Sequence, residues 1–161
     1  MKMPVKKTRV LMVCLGNICR SPTAEAMLRH KAQLAGLDER VEVDSAGTAD
    51  YHVGSPPDRR AIAHGEKRGL RLKALRGRQV QKADFDRFDF ILAMDDDNLA
   101  NLQRLRPEGS PAELALLMSF APEAGSRAVP DPYYGGSDGF EAVLDLVDSA
   151  CEGFLTKALP R

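Results

Sequence analysis

The chain has 161 residues, with 23 basic and 23 acidic side chains, so its formal net charge is zero. That length predicts a single domain over residues 1–161, with a real core and a basic tail at 1–7. An apolar share of 43% and a charged share of 29% exclude a disordered chain, and the neutral balance excludes nucleic-acid binding by bulk charge.

The elements follow in chain order. Lys6, Lys7 and Arg9 precede the apolar run Val10, Leu11, Met12, Val13 and Cys14, which imitates a short signal sequence. The run is shorter than a secretory apolar region, and Val13 is not the small residue that cleavage needs. Residues 9–13 therefore read as a strand covered on both faces, and the protein is expected in the cytoplasm. Three cysteines, an odd number, also point to a reducing compartment. No apolar stretch is long enough to cross a bilayer, so no membrane partner is expected. Residues 21–35 carry Ala24, Met27, Leu28, Ala32 and Ala35 at helical spacing. Ser21 is the expected cap, Pro22 the first helical residue and Gly36 the stop. Residues 40–44 alternate as a short strand, 45–58 form a Gly/Pro/Ser-containing surface loop, and 58–68 form a helix ended by Gly69. Residues 88–94 are a second apolar strand, and 96–106 a helix that stops before Pro107. Asp95, Asp96 and Asp97 suit the start of that helix better than a metal site. By length, 114–118 is a strand; 128–139 is another Gly/Pro-rich loop. The last helix gathers Phe140, Val143, Leu144, Val147, Cys151, Phe154, Leu155 and Ala158 on one face, with Asp138 and Glu141 spaced as a capping box. This alternation argues a parallel sheet with helices on both faces and a ligand at the carboxyl ends of its strands.

The stretch from Cys14 to Thr23 carries the chemistry. A strand ends at Cys14 and a helix opens near Ser21, with Cys14 and Arg20 bracketing a five-residue loop. Such a loop presents unpaired backbone N–H groups and the positive end of a helix dipole, which together bind anions, phosphate above all. Gly16 permits a sharp turn, and Asn17 tolerates a left-handed backbone. A cysteine on the floor of that ring faces N–H dipoles and Arg20, which favour the nucleophilic thiolate; Ser21 adds a hydroxyl. The Arg20 fork grips two phosphoryl oxygens, as a lysine would not. Attack by sulfur on phosphorus leaves an oxygen in need of a proton, and Asp131, stiffened by Pro132, is the natural donor. Tyr133 and Tyr134 beside it make aromatic walls for a flat ring.

The run Cys14-Leu15-Gly16-Asn17-Ile18-Cys19-Arg20-Ser21-Pro22, with Asp131-Pro132-Tyr133-Tyr134-Gly135, closely resembles the low-molecular-weight protein tyrosine phosphatases. The resemblance extends over nearly the whole chain, through Asp44-Ser45, Val53-Gly54, Arg78-Gln79-Val80, Asp84-Phe85 and Met94-Asp95. It implies a three-layer α/β fold: a four-stranded parallel sheet of flavodoxin-like order 2-1-3-4, flanked by helices. It also implies phosphotyrosine hydrolysis through a phosphocysteine without metal or other cofactor. Cys14 would be the nucleophile, Arg20 the phosphoryl-binding cation, and Asp131 the general acid and then base. Asn17, Ser21 and Ser45 would be the polar support of the loop, and Gly16 belongs to the phosphate cradle. Leu15, Ile18, Tyr51, Tyr133 and Tyr134 would wall the substrate pocket. Cys19 reads either as a small packed residue or, by the resemblance, as a thiol that forms a reversible disulfide with Cys14. The implied partners are phosphotyrosine-containing proteins, acted on by a monomer that self-associates weakly at most.

The chain departs from that pattern in two places. Many members have a histidine shortly before the Arg-Gln segment, helping to hold the loop asparagine; residues 69–80 contain none, and an extra residue falls around Arg76 and Gly77. Tyr51 stands where some members have tryptophan. Cys151 reads as core, and His30, His52 and His64 lack metal-ligand spacing. The basic stretch Lys67, Arg68, Arg71, Lys73, Arg76, Arg78 and Lys82 reads as a solvated surface, with steering of acidic phosphoproteins as the sharper alternative. Three rival functions are weighed. An arsenate reductase needs relay cysteines that the chain lacks. A protein-arginine phosphatase typically has threonine at Ile18 and lacks the paired tyrosines. A phosphate-binding module has no use for Cys14 and Asp131 together.

Overall fold

The computed structural model describes residues 6–133 and 136–159, and of Ser137 only the backbone; Tyr134 and most of the expected basic tail lie outside these. Four parallel strands, β1 (Thr8–Cys14), β2 (Val41–Gly47), β3 (Phe90–Ala93) and β4 (Glu113–Leu116), lie in the order β2-β1-β3-β4. The expected sheet and its order are both met. Five helices accompany them: α1 (Arg20–Leu34), α2 (Arg59–Glu66), α3 (Asp84–Arg87), α4 (Asp96–Leu105) and α5 (Ser137–Lys157).

The continuous apolar run in β1 is explained by its place between two cores. Side chains alternate across a strand. Val10, Met12 and Cys14 face the core shared with α1 and α5, whereas Leu11 and Val13 face the one containing Phe85 and Leu102 from α3 and α4. Residues Val10 to Val13 are wholly buried. The strand order reverses between β1 and β3, and Cys14 stands at the carboxyl end there, where α/β sheets open a crevice.

Local details differ from the sequence reading: α3 is not among the expected elements, and β3 and α2 are shorter than the expected 88–94 and 58–68. α1 begins at Arg20, two residues before the expected Pro22, with Cys19 at the cap and no side-chain cap bond. The Ser21 hydroxyl faces the Cys14 sulfur instead. The Asp138–Glu141 capping box does not form: Asp138 lies inside α5, and Glu141 pairs with His64 and Arg68. β2 runs on through Ser45 to Gly47, because β1 pairs with it in register as far as Cys14↔Gly47. The run expected as a strand over 114–118 splits into β4 and a 3-10 turn over Leu117–Phe120. The face expected of α5 is buried from Phe140 to Leu155, Cys151 included.

Candidate active site

The loop from Leu15 to Cys19 turns between β1 and α1. Asn17 takes φ 58°, the left-handed region that the sequence reading assigned to it. This places its N–H 3.3 Å from the Cys14 Sγ, while Ser21 Oγ lies 3.0 Å from the same sulfur. Cys14 is only 3% exposed. Among the described residues, the backbone N–H groups of Leu15, Gly16, Ile18 and Cys19 donate to no protein acceptor. Four free donors at the head of a fifteen-residue helix form an anion cradle.

Asn17 is the keystone beneath that cradle. Its Nδ2 donates to Ser21 Oγ (2.8 Å) and Ser45 Oγ (3.0 Å), and its Oδ1 accepts the Arg78 backbone N–H (3.0 Å). The Ser45 hydroxyl donates to Glu25 Oε1 (2.6 Å), and Arg29 donates to Glu25 Oε2 (2.7 Å). Glu25 is 4% exposed. Burial raises its pKa above the ordinary carboxylate value, against the opposing pull of Ser45 and Arg29. The Arg78 guanidinium is fixed in turn by Asp44 and by a bidentate pair with the fully buried Asp84. Both Nδ2 protons and the Oδ1 of Asn17 are thus bonded although residues 69–80 hold no histidine. Arg78 and Arg68 are consequently not part of a merely solvated basic face. Arg68 pairs with Glu141 and Asp145, while Lys67, Arg71, Lys73, Arg76 and Lys82 are exposed as expected.

Arg20 is 3% exposed and held by three partners on the other side of the loop. Its Nη1 donates to Asp95 Oδ2 (2.6 Å) and to Val129 O (3.1 Å), and Nη2 stands 3.7 Å from Asp131 Oδ2. Asp95 does double duty. Its Oδ1 caps α4 through the Asn98 N–H (2.8 Å), a more specific bond than the favourable helix-start charge expected of residues 95–97, and its Oδ2 aims the guanidinium. Asp131 has a side chain 40% exposed and accepts the Tyr133 N–H (3.0 Å).

These groups open on a cavity of about 270 Å³ lined by Cys14, Leu15, Gly16, Ile18, Cys19, Arg20, Tyr51, His52, Asp131 and Tyr133. Asn17, Ser21 and Ser45 lie beneath it, and Tyr134 lies outside the described residues. His52 is an addition. A Cβ on Gly16 would come within 3.1 Å of its ring, so the histidine folds against the anion loop. The wall segment carrying Tyr51 and His52 is docked on Gly77. Gly54 N–H donates to Gly77 O and Gly77 N–H to Ser55 O, both at 2.8 Å, and a Cβ on Gly77 would meet His52 O at 2.4 Å. Among the described residues, no three His, Cys, Asp or Glu side chains are grouped to hold a metal ion.

The three thiols are not equivalent. Burial, with the charges of Asp58, Cys14 and Asp131, pushes the Cys19 thiol up to about 12 against Arg60, and complete burial raises that of Cys151 further. Both stay protonated and poorly nucleophilic at neutral pH. Iodoacetamide at pH 7 is therefore expected to label the folded protein once, at Cys14, and phosphate to slow that labelling. Peptide mass mapping checks this; early label on Cys19 or Cys151 would show that their burial is misjudged.

The relatives of this chain define its class first: they are protein-tyrosine phosphatases, a class of hydrolase. More narrowly, the chain belongs to the low molecular weight phosphotyrosine protein phosphatases, whose family model matches residues 9–161. The low molecular weight phosphotyrosine protein phosphatase of Schizosaccharomyces pombe is 48% identical over 145 residues, 89% of this chain and 92% of that one. A crystal structure of the Entamoeba histolytica protein tyrosine phosphatase, with Hepes in its active site, superposes with a TM-score of 0.90 at 41% identity, covering 94% of this chain and 96% of that one. The Drosophila arginine phosphatase DARP shares the fold at a TM-score of 0.86 and 35% identity, covering 91% and 95% of the two chains.

Proposed function

We propose that this chain hydrolyses phosphotyrosine in proteins, and small aryl phosphates, through a phosphocysteine on Cys14. The observation that carries the reading is the placement of the Cys14 sulfur. It accepts the Asn17 N–H, lies beside the Ser21 hydroxyl, and stands on the floor of a cavity that Arg20 and Asp131 also line. The thiolate sulfur forms a bond to phosphorus as the P–O bond to the phenol breaks. The leaving oxygen takes its proton from the Asp131 carboxyl. The free loop N–H groups and the Arg20 fork stabilise the charge spread over the three remaining phosphoryl oxygens. Water then attacks phosphorus, giving its proton back to Asp131, and the S–P bond breaks to release phosphate and restore the thiolate.

The walls favour a flat ring. Leu15 and Ile18 offer apolar contact, and Tyr51 and Tyr133 stand at the mouth, Tyr51 being 72% exposed. A phosphoarginine would bring a polar guanidinium against the Ile18 side chain, which cannot accept its hydrogen bonds. The partners we infer are phosphotyrosine-containing proteins, met by a single catalytic domain acting as a monomer in the cytoplasm. Among the described residues no helix is long and apolar enough to cross a membrane. The test compares p-nitrophenyl phosphate with peptides carrying phosphotyrosine or phosphoarginine, with chelator present. Phosphate release from the first two is expected. Release from phosphoarginine alone would move the chain to the other substrate class, and phosphate binding without release from any would make it a binding module.

A further inference from the structure

The loop that carries Asp131 is anchored at both ends by groups from different parts of the fold. At its start, Val129 N–H donates to Met94 O (2.7 Å), and Val129 O accepts from Arg20 (3.1 Å). At its far end, Tyr133 O accepts from Nη2 of Arg60 (2.8 Å), a residue of α2. Arg60 is itself locked. Its Nε and Nη2 reach Oδ1 and Oδ2 of Asp58, each at 3.1 Å, and its guanidinium lies 4.8 Å from the Phe140 ring centroid on α5 and 5.7 Å from that of Tyr133. Asp58, the cap of α2, donates its N–H to Ile18 O (2.7 Å) in the anion loop.

A continuous line of bonds therefore runs from the Ile18 carbonyl through Asp58 and Arg60 to Tyr133. The Tyr133 N–H in turn donates to the Asp131 carboxylate (3.0 Å). We propose that Arg60 is a positioning residue that fixes Asp131 over the anion loop, tying the proton donor to the phosphate cradle. This rests on the reading of Asp131 as general acid. A planar fork can hold the Asp58 carboxylate and the Tyr133 carbonyl at once while its face packs on an aromatic ring; a lysine ammonium replaces only one of these contacts. Asp131 is well exposed, so nothing in a packed core sets its angle, and proton transfer is sensitive to that angle. A displacement of about 1 Å in a catalytic group can cost on the order of 10²-fold in rate.

The experiment measures kcat/KM, which reports formation of the phosphocysteine and not its hydrolysis, for Arg60→Gln and Arg60→Lys on two esters, phenyl phosphate and p-nitrophenyl phosphate, in the wild-type and Asp131→Ala backgrounds. A poor leaving group needs the proton and a good one does not. Arg60→Gln is expected to slow phenyl phosphate by about 10- to 100-fold and p-nitrophenyl phosphate by less than about 3-fold. Arg60→Lys should recover part of the loss, and neither substitution should slow the Asp131→Ala enzyme further. Equal losses on both esters, a full additional loss in the Asp131→Ala background, or no loss at all would each overturn the proposal. A wild-type protein that turns over neither ester would instead overturn the phosphatase reading, and an Asp131→Ala enzyme as fast as wild type would remove the general-acid assignment.

Discussion

Replacing Cys14 with serine is expected to remove turnover by on the order of 10⁶-fold, the scale on which loss of a nucleophile from a cooperating set is felt. Serine keeps the shape of the side chain and a hydrogen-bonding oxygen. It does not keep a soft, readily ionised nucleophile, and no base stands within the described bonds of residue 14 to take its proton: Asn17 and Ser21 both reach the sulfur as hydrogen-bonding groups that suit an anion. The free N–H groups of residues 15, 16, 18 and 19 and the buried Arg20 are untouched by the change, so phosphate should still bind. The measurement pairs initial rates on p-nitrophenyl phosphate with calorimetric titration of inorganic phosphate. Retained turnover would place the nucleophile elsewhere; loss of phosphate binding as well would show that sulfur, not the cradle, organises the loop.

Replacing Asp131 with alanine is expected to slow hydrolysis of phenyl phosphate and phosphotyrosine peptides by about 10²- to 10⁴-fold, the usual range for a lost general acid. In kcat/KM, which reports only the phosphoryl-transfer step, p-nitrophenyl phosphate should suffer far less, because its phenolate leaves without a proton; its kcat still falls where hydrolysis of the phosphocysteine needs Asp131 as base. The sensitivity of rate to leaving-group acidity should therefore steepen in the variant. Arg20 keeps its bonds to Asp95 and Val129 when Asp131 is removed, so phosphoryl binding has an independent support. A uniform loss across leaving groups would mean that Asp131 serves Arg20 rather than the departing oxygen.

Much of this site was legible in the chain because its geometry is local. Cys14, Gly16, Asn17 and Arg20 lie within one strand-loop-helix unit, and a left-handed asparagine is something a sequence can announce. The sheet order followed in the same way, since an apolar run such as residues 10–13 has few other homes than the centre of a parallel sheet. What escaped was support from distant parts of the chain. Glu25 looks like a surface residue of an amphipathic helix until Ser45 and Arg29 close on it. Arg78 reaches Asn17 and Asp44 from a segment that joins β2 only through an isolated bridge between Gly47 and Gln79, a pairing that no periodicity encodes. Arg60 looks like one more charge at a helix start. Caps were misjudged for a related reason. Ser21, Asp138 and Glu141 have the right types at the right spacing, but tertiary partners offered better bonds: the Cys14 sulfur for the serine, and His64 and Arg68 for the glutamate.

The docking of residues 51–55 on Gly77 separates two properties that an enzyme could have entangled. Tyr51 and His52 reach the cavity from a segment whose backbone hangs on residue 77, whereas the Cys14 sulfur answers to Asn17, Ser21, Ser45 and Glu25. The two sets meet at one peptide: the Gly77 carbonyl accepts the Gly54 N–H, and the Arg78 N–H of the same unit donates to Asn17 Oδ1. That link is backbone only, so exchange of the Tyr51 ring at the rim can alter which phosphoproteins are accepted and leave the support of the thiol in place, whereas exchange of His52, which packs against Gly16, also touches the anion loop. Selectivity in this scaffold is thus separable at the side chains but joined at the backbone: the outer ring can vary freely, and the peptide behind it cannot.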